Sequence, residues 1–242
     1  VTLLDRAGVR SGAVEVILEG YDTGRVGLPS PASAGEISFA RSLPLEKARS
    51  ADVLLAWQMN GAELTPHHGF PVRVVVPGWY GMASIKWLKR IVVTDRPYNG
   101  YFQTFAYTVW QRPHEGLPTL VSVGELDVKS QIARPAAQEI VPAGANCRIF
   151  GAAWAGEPEI TRVDVSTDGG KTWNAAALDE KSVPNAWRLF HFDWQTPRTS
   201  GKHVLMSRAT DARGRTQPMQ HDSDRRDAMI TFVQPIEVHV RG

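Results

Sequence analysis

The sequence predicts two folds in series: a mixed α+β, strand-dominated first half and an all-β antiparallel sandwich in the second. Three features carry that expectation. Short runs of β-branched and aromatic residues recur along the chain, while the first half holds only one convincing helical stretch. Between QRPHEGLP (111–118) and ARPAAQEIVPAGA (133–145) the chain is Pro-rich and short of apolar periodicity, which places a junction near residue 126 and domains at 1–125 and 126–242. Beyond the junction, Gly and Pro turns separate strand-like runs at a spacing of about 8–12 residues.

The elements follow in order. VTLLDRAGVRS (1–11) reads as the tail of a short helix closed near Gly8. AVEVILEGYD (13–22) alternates apolar residues at 14, 16 and 18 and reads as a strand. EISFARSLPLEKARS (36–50) reads as a strand running into a helical turn. ADVLLAWQMNGAELT (51–65) carries an apolar run, Val53 to Trp57, and then Asn60-Gly61. That dipeptide signals a tight hairpin, because both central residues of a type I′ turn need positive φ. Val72 to Val76 reads as a fully buried strand, and IKWLKRIVVTD (85–95) as another. In the second half CRIFGAAWAG (147–156), ITRVDVS (160–166), WRLFHFDWQ (187–195), GKHVLMSRATDARG (201–214) and MITFVQPIEVHV (229–240) all read as strands. Asp168-Gly169-Gly170 is a hairpin turn rather than a phosphate loop, because no helix follows it. Trp154, Trp173 and Trp187 are expected in the sandwich core.

Composition narrows the function classes. The 242 residues are 43% hydrophobic and 21% charged, typical of a globular protein with a substantial core. A formal charge of +2 makes no electrostatic case for nucleic acid or an anionic membrane. No apolar run reaches the ~20 residues of a membrane-spanning helix. Cys147 is the only cysteine, so a disulfide framework and a multi-cysteine metal site within one chain are both excluded. No signal peptide is visible before Val1, and a mature, a processed and a truncated product all fit.

The stretch HGFPVRVVVPGWYGMASIKWLKR (68–90) poses the chemical question. A β-branched strand empties into a glycine-containing turn flanked by His68, Arg73 and Lys86. Nitrogen donors around such a turn suit an anionic ligand. Taken singly, Arg73 and Lys86 also read as solvated strand-end charges, His68 as a turn histidine, Asp22 as a turn-stabilising carboxylate and Tyr107 as aromatic packing.

The strings EGYD, LLAWQMNGAEL and HHGFPVRVVVPGWYGMASIKWLKRI, in this order, resemble the sulfite oxidase family of molybdenum–pterin enzymes. GAAWAG, followed by ITRVDVSTDGGKTWNAAAL, resembles the immunoglobulin-like dimerisation domain of the same family. The resemblance implies a sulfite oxidase-like partial catalytic domain followed by an immunoglobulin-like sandwich. It also implies a molybdenum cofactor (Mo-molybdopterin) and the two-electron oxidation of sulfite or a related small sulfur oxyanion. Carried over residue by residue, it assigns Asp22, His68, Arg73, Ser84, Ile85 and Lys86 to cofactor binding, some through backbone groups. Tyr107 would stand beside the substrate, and Arg73 would also serve the substrate channel. Arg supplies a planar fork and Lys a compact charge for phosphate, and Gly78 and Gly81 would let backbone N–H groups approach oxygen atoms.

Further implications are a homodimer through the second domain, a separate electron acceptor such as a cytochrome, and a periplasmic location. The family's metal-ligating cysteine has no counterpart here. Cys147 reads as a small buried hydrophobe of the sandwich, so that ligand is expected upstream of Val1. Two accounts are open: a C-terminal fragment of an enzyme, or a non-catalytic dimerisation and binding module derived from the family. Arg225 and Arg226, in HDSDRRDAM, are candidates for the arginine that the family's dimerisation domain brings near the substrate.

Overall fold

The computed structural model describes residues 2–27, 31–179, 181–225 and 229–242. The chain divides into two compact units, Val1–Gly124 and Glu125–Gly242.

Unit 1 opens with the short helix α1 (Thr2–Arg6), ended where Gly8 takes a φ of +69°. Strand β1 (Glu15–Gly24) is central in a sheet between β2 (Ile37–Pro44) and β7 (Leu88–Thr94), all antiparallel. Alternation along β1 turns Val16 and Leu18 into a core shared with Leu4, Leu43, Val74 and Ile85. After β2 the chain enters α2 (Leu45–Ala48). Three small ladders complete the unit: β3 (Leu54–Ala56) on β6 (Arg73–Val75), β4 (Gln58–Met59) on β5 (Ala62–Glu63), and β8 (Thr108–Gln111) on β9 (Thr119–Ser122). The β4–β5 turn is the Asn60-Gly61 pair, with φ of +53° and +80° as a type I′ turn requires. The run from Val72 to Val76 is less buried than its composition implies. Only Val74 and Val76 are buried, while Val72 and Val75 are half-buried.

Unit 2 consists of two sheets over one core. The first has the order β10 (Lys129–Arg134), β12 (Asn146–Trp154), β16 (Arg188–Gln195), β15 (Ala177–Leu178). The second runs β11 (Ile140–Pro142), β18 (Ile236–Arg241), β17 (Gly201–Asp211), β13 (Ile160–Ser166), β14 (Asn174–Ala175). Ile149 and Phe190 from one sheet meet Val163, Leu205 and Val238 from the other. Cys147 is half-buried against this core, and burial pushes its thiol up.

Two expectations change here. The strand expected over 229–240 begins only at Ile236, because Pro235 has no N–H to give a ladder. The tryptophan of the core is Trp194, whereas Trp187 is 72% exposed and Trp154 and Trp173 are half-buried. Parity explains Trp154: on β12 the residues Ile149 and Ala153 point inward, so Phe150 and Trp154 point out. Trp173 lies past the Asp168 turn, where the Arg208 guanidinium sits 4.4 Å from its ring centroid.

Asp168 organises that turn. Its carboxylate accepts from the Thr172 hydroxyl at 2.6 Å, the Ser166 hydroxyl at 2.8 Å, and the Thr172 and Lys171 N–H groups at 3.0 Å. The Thr172 bonds above all hold this carboxyl well below the usual carboxylate range. A depressed folded-state value means stabilisation that is complete above about pH 4 and is lost as pH falls through the folded value. Asp168→Asn is therefore expected to lower the melting temperature at pH 7. Thermal unfolding followed into strong acid should show the gap from the unmodified chain closing.

Candidate functional site

Three segments of unit 1 meet at one end of β6 and β7. The first is a 3₁₀ turn, Pro66–His68, closed by Gly69 at a φ of +100°. Gly69 is buried against the third segment: a Cβ there would lie 2.9 Å from Lys86 Cβ and 3.1 Å from Lys86 Cα. Only glycine meets both the left-handed backbone and that approach. The second segment is the start of β6 with Arg73. The third is the run 84–87 leading into β7.

Backbone groups stitch these together. Val74 N–H donates to the Ile85 carbonyl at 2.8 Å, and Leu88 N–H to the Val72 carbonyl at 2.9 Å. Trp87 takes a φ of +50°, rare for an aromatic residue, and its indole N–H donates to the Pro66 carbonyl at 2.9 Å. The Trp87 carbonyl accepts from Tyr21 N–H at 2.8 Å, bringing in the end of β1.

Arg73 is half-buried and bridges two segments. One terminal nitrogen donates to the His68 carbonyl and the other to the Ser84 carbonyl, each at 3.3 Å, while Nε reaches the Val74 carbonyl at 3.4 Å. Lys86 Nζ donates to the His67 carbonyl at 3.1 Å and lies 4.6 Å from the Trp87 ring centroid. Among the described residues neither cation pairs with a carboxylate. Lys89 and Arg90, a few residues on, share the one carboxylate of Glu19. The first two cations keep N–H donors to spare, two on Arg73 and two on Lys86. Fixed, unneutralised donors of this kind suit an anion with several oxygen atoms, phosphate above all.

The other sequence-derived residues are placed as follows. His68 Nδ1 is 2.8 Å from Thr65 Oγ1, leaving Nε2 for a ligand. Asp22 is exposed past Gly20, and a Cβ on Gly20 would overlap the Asp22 carboxylate and lie 3.2 Å from the Lys86 carbonyl. Asp22 therefore stands beside the same run as the cations. Ser84 Oγ accepts from Val76 N–H at 3.0 Å, and Ile85 is 1% exposed with its N–H and carbonyl bonded internally. These two form the floor of the site. Gly78 does adopt positive φ, and Gly81 faces open space.

Tyr107 belongs to a second cluster. Its ring centroid is 6.1 Å from Phe39 and 6.3 Å from Phe102, and the Arg41 guanidinium carbon is 5.8 Å away. Phe39 connects the clusters: its ring packs on Tyr107 while its carbonyl faces Gly20 beside Lys86. Sequence reasoning missed Arg41. It is 1% exposed, donates to the Phe102 and Val123 carbonyls and, at 3.0 Å, to Ser122 Oγ, and its Nε has no partner. Burial with no neighbouring carboxylate pushes its pKa down to about 10. Four consecutive buried residues, 40–43, hide it in a strand whose sequence shows only ordinary alternation. Of the two arginines considered in unit 2, Arg225 pairs with Asp127 at 2.6 Å, and Arg226 lies outside the described residues.

Comparisons with known proteins bear on this arrangement. A model of the oxidoreductase molybdopterin binding domain matches residues 1–102, and one of the Mo-co oxidoreductase dimerisation domain matches 121–238. Tyr107 falls between the two spans. Sulfite oxidase of Gallus gallus is 37% identical over 221 residues, covering 86% of this chain and 45% of that protein. An NADH nitrate reductase of Arabidopsis thaliana is 34% identical over 215 residues, covering 78% of this chain and 22% of that protein. The chain thus spans less than half the length of these two relatives. The sulfane dehydrogenase SoxCD from Paracoccus pantotrophus superposes with a TM-score of 0.76 at 33% identity, covering 98% of this chain and 57% of that one.

Two substitutions test the packing described here. Gly69→Ala forces a Cβ onto Lys86 at positive φ and is expected to destabilise unit 1 by more than ~1 kcal/mol in denaturant titration. Arg41→Met takes the donor from the Phe102 and Val123 carbonyls and is expected to cost about 3 kcal/mol in the same measurement.

Proposed function

We propose a function from one premise: the chain belongs to the sulfite oxidase family of molybdopterin oxidoreductases, whose cofactor is Mo-molybdopterin. On that premise, unit 1 supplies one wall of the cofactor slot and unit 2 is an immunoglobulin-like homodimerisation module. The parent enzyme carries out the two-electron oxidation of sulfite or a related small sulfur oxyanion. The carrying observation is the pair of unneutralised cations, Arg73 and Lys86, locked by carbonyls of the 66–69 and 84–87 segments.

The donor set fits the cofactor. A pyranopterin presents a phosphate together with amino and carbonyl groups. Arg73 and Lys86 hold the phosphate, Asp22 accepts from amino nitrogens, and His68 offers Nε2. Bound there, the cofactor supplies two-electron chemistry at its metal. This chain's part is to bind, to orient and to set the local charge. The same cations favour a small dianion over a neutral substrate. Tyr107 presents a hydroxyl for the substrate oxygen, and its ring is held by Phe39, Phe102 and Arg41. Cys147 packs half-buried against the core of unit 2 and is not proposed as a metal ligand.

The sandwich topology supports the immunoglobulin-like reading. The strand orders β10-β12-β16-β15 and β11-β18-β17-β13-β14, with β11 parallel to β18, match two facing sheets joined by Greek-key connections. The likeness to a sulfane dehydrogenase over 98% of the chain favours a sulfur substrate. A nitrate reductase at 34% identity makes nitrate the competing one. A separate electron acceptor, such as a cytochrome, and a periplasmic location complete the proposal. No described helix is long and apolar enough to cross a membrane.

The test uses the full-length parent enzyme. Arg73→Ala removes a half-buried cation from the site, so molybdenum and pterin content per protomer are expected to fall at least ~tenfold. Equal content in both proteins would overturn the role of Arg73, and neither molybdenum nor pterin in either would leave the non-catalytic dimerisation module as the better reading. Turnover of sulfite against nitrate by the unmodified enzyme decides the substrate.

A further inference from the structure

Among the described residues Arg41 is the only buried arginine, and its bonds converge on a single segment. Register places it. On β2 it stands opposite Leu18 of β1, and Leu43, two residues on, stands opposite Val16, so its side chain leaves the strand on the core-facing side. From there the guanidinium reaches both ends of the segment that carries Tyr107. One terminal nitrogen donates to the Phe102 carbonyl, at the start of the π-helical turn Phe102–Ala106. The other donates to the Val123 carbonyl and, at 3.0 Å, to Ser122 Oγ. Val123 in turn gives its N–H to the Tyr107 carbonyl at 2.9 Å. A second tie from the same strand, Ser42 N–H to Gln103 Oε1 at 3.2 Å, holds the turn itself. Such π turns are rare and frequent at functional sites; this one delivers Tyr107 at its end.

The Tyr107 ring is half-buried, edge-on to Phe39 with 82° between the planes, and the Arg41 guanidinium carbon lies 5.8 Å from its centroid. An enclosed charge with only neutral acceptors is a costly way to join two loops, since a neutral donor would satisfy the same carbonyls with less desolvation. What the charge adds is attraction to the face of a ring, and the ring it meets is that of Tyr107. Against the burial that pushes the Arg41 pKa down to about 10, Tyr107 and then Tyr98 act in the opposite direction.

We propose that Arg41 is a positioning residue for the oxidation, holding the Tyr107 backbone and ring so that the hydroxyl keeps one place beside the substrate. The inference rests on the reading of Tyr107 as the residue at the substrate oxygen, and it adds what fixes that placement. Arg41 acts through Tyr107 and not on the reacting atoms. Positioning of this kind works in the transition state, so its loss appears in kcat with KM little changed.

A double-mutant cycle in the full-length parent enzyme tests this, with turnover expressed per bound molybdenum. Tyr107→Phe and Arg41→Met are each expected to lower kcat ~10-fold or more with KM within about twofold, and the double variant to be no slower than Tyr107→Phe. Arg41→Lys keeps the charge enclosed and serves the same cycle should the methionine variant not fold. It is expected to lose less, and to be equally without effect on a Tyr107→Phe background. Losses that multiply in the double variants overturn the proposal and leave the Tyr107 reading standing. A Tyr107→Phe enzyme with unchanged kcat overturns both. The 242-residue chain gives a readout that needs neither cofactor nor an Arg41 variant. With fluorotyrosine in place of tyrosine, and Tyr107→Phe to assign the signal, fluorine NMR relaxation should show a rigid Tyr107 ring beside a mobile Tyr21, which is 73% exposed. A Tyr107 signal as mobile as that of Tyr21 overturns the proposal.

Discussion

Arg73 carries a full charge on a half-buried strand end, and every partner it has is a carbonyl oxygen. Two of those carbonyls, of His68 and Ser84, belong to the two loops that the Trp87 indole and Lys86 also tie together. Once the guanidinium holds them, Lys86 can reach a carbonyl of the same 3₁₀ turn and Gly69 can accept the Lys86 backbone at contact distance. The left-handed backbone of Trp87 then becomes tolerable, because its indole and its carbonyl are both bonded into the cluster. The same bonds leave positive charge uncompensated. A carboxylate partner would have satisfied Arg73 more strongly and would have left nothing for an anionic ligand. Lys89 and Arg90 differ from Arg73 in sharing the carboxylate of Glu19.

Arg41 shows the opposite use of the same residue type. It is fully enclosed, its acceptors are neutral, and its charge is costly enough that burial lowers its pKa to about 10. In return it ties β2 to the turn at Phe102 and to the end of β9 in one contact set. Tyr107 rests on that anchor. The Arg73–Lys86 cluster and the tyrosine are thus separate constructions joined through Phe39, whose carbonyl faces one and whose ring packs on the other.

In unit 2 one periodicity produces two unlike surfaces. Both sheets bury every second residue in a common core, so their inner faces are alike. Their outer faces differ. Ion pairs stand on one, and Phe150, Leu189 and Trp187 are exposed on the other.

Local conformation was legible in the residues. Asn60-Gly61, the Asp168 turn and the succession of short strands follow from φ preferences and period-two patterns, which are properties of a few consecutive residues. The cations around His68 could be named for the same reason, since their chemistry is intrinsic to residue type. What the sequence left open is whatever depends on a distant segment. It could not say that Arg41 would be enclosed by residues some sixty to eighty positions away, nor that Arg73 would meet carbonyls instead of a carboxylate. It could not say which parity of β12 and β16 faces inward, so Trp194 rather than Trp154 or Trp187 fills the core. Strand alternation defines two faces but does not choose between them; that choice belongs to the element packed against the sheet, and only the tertiary structure contains it.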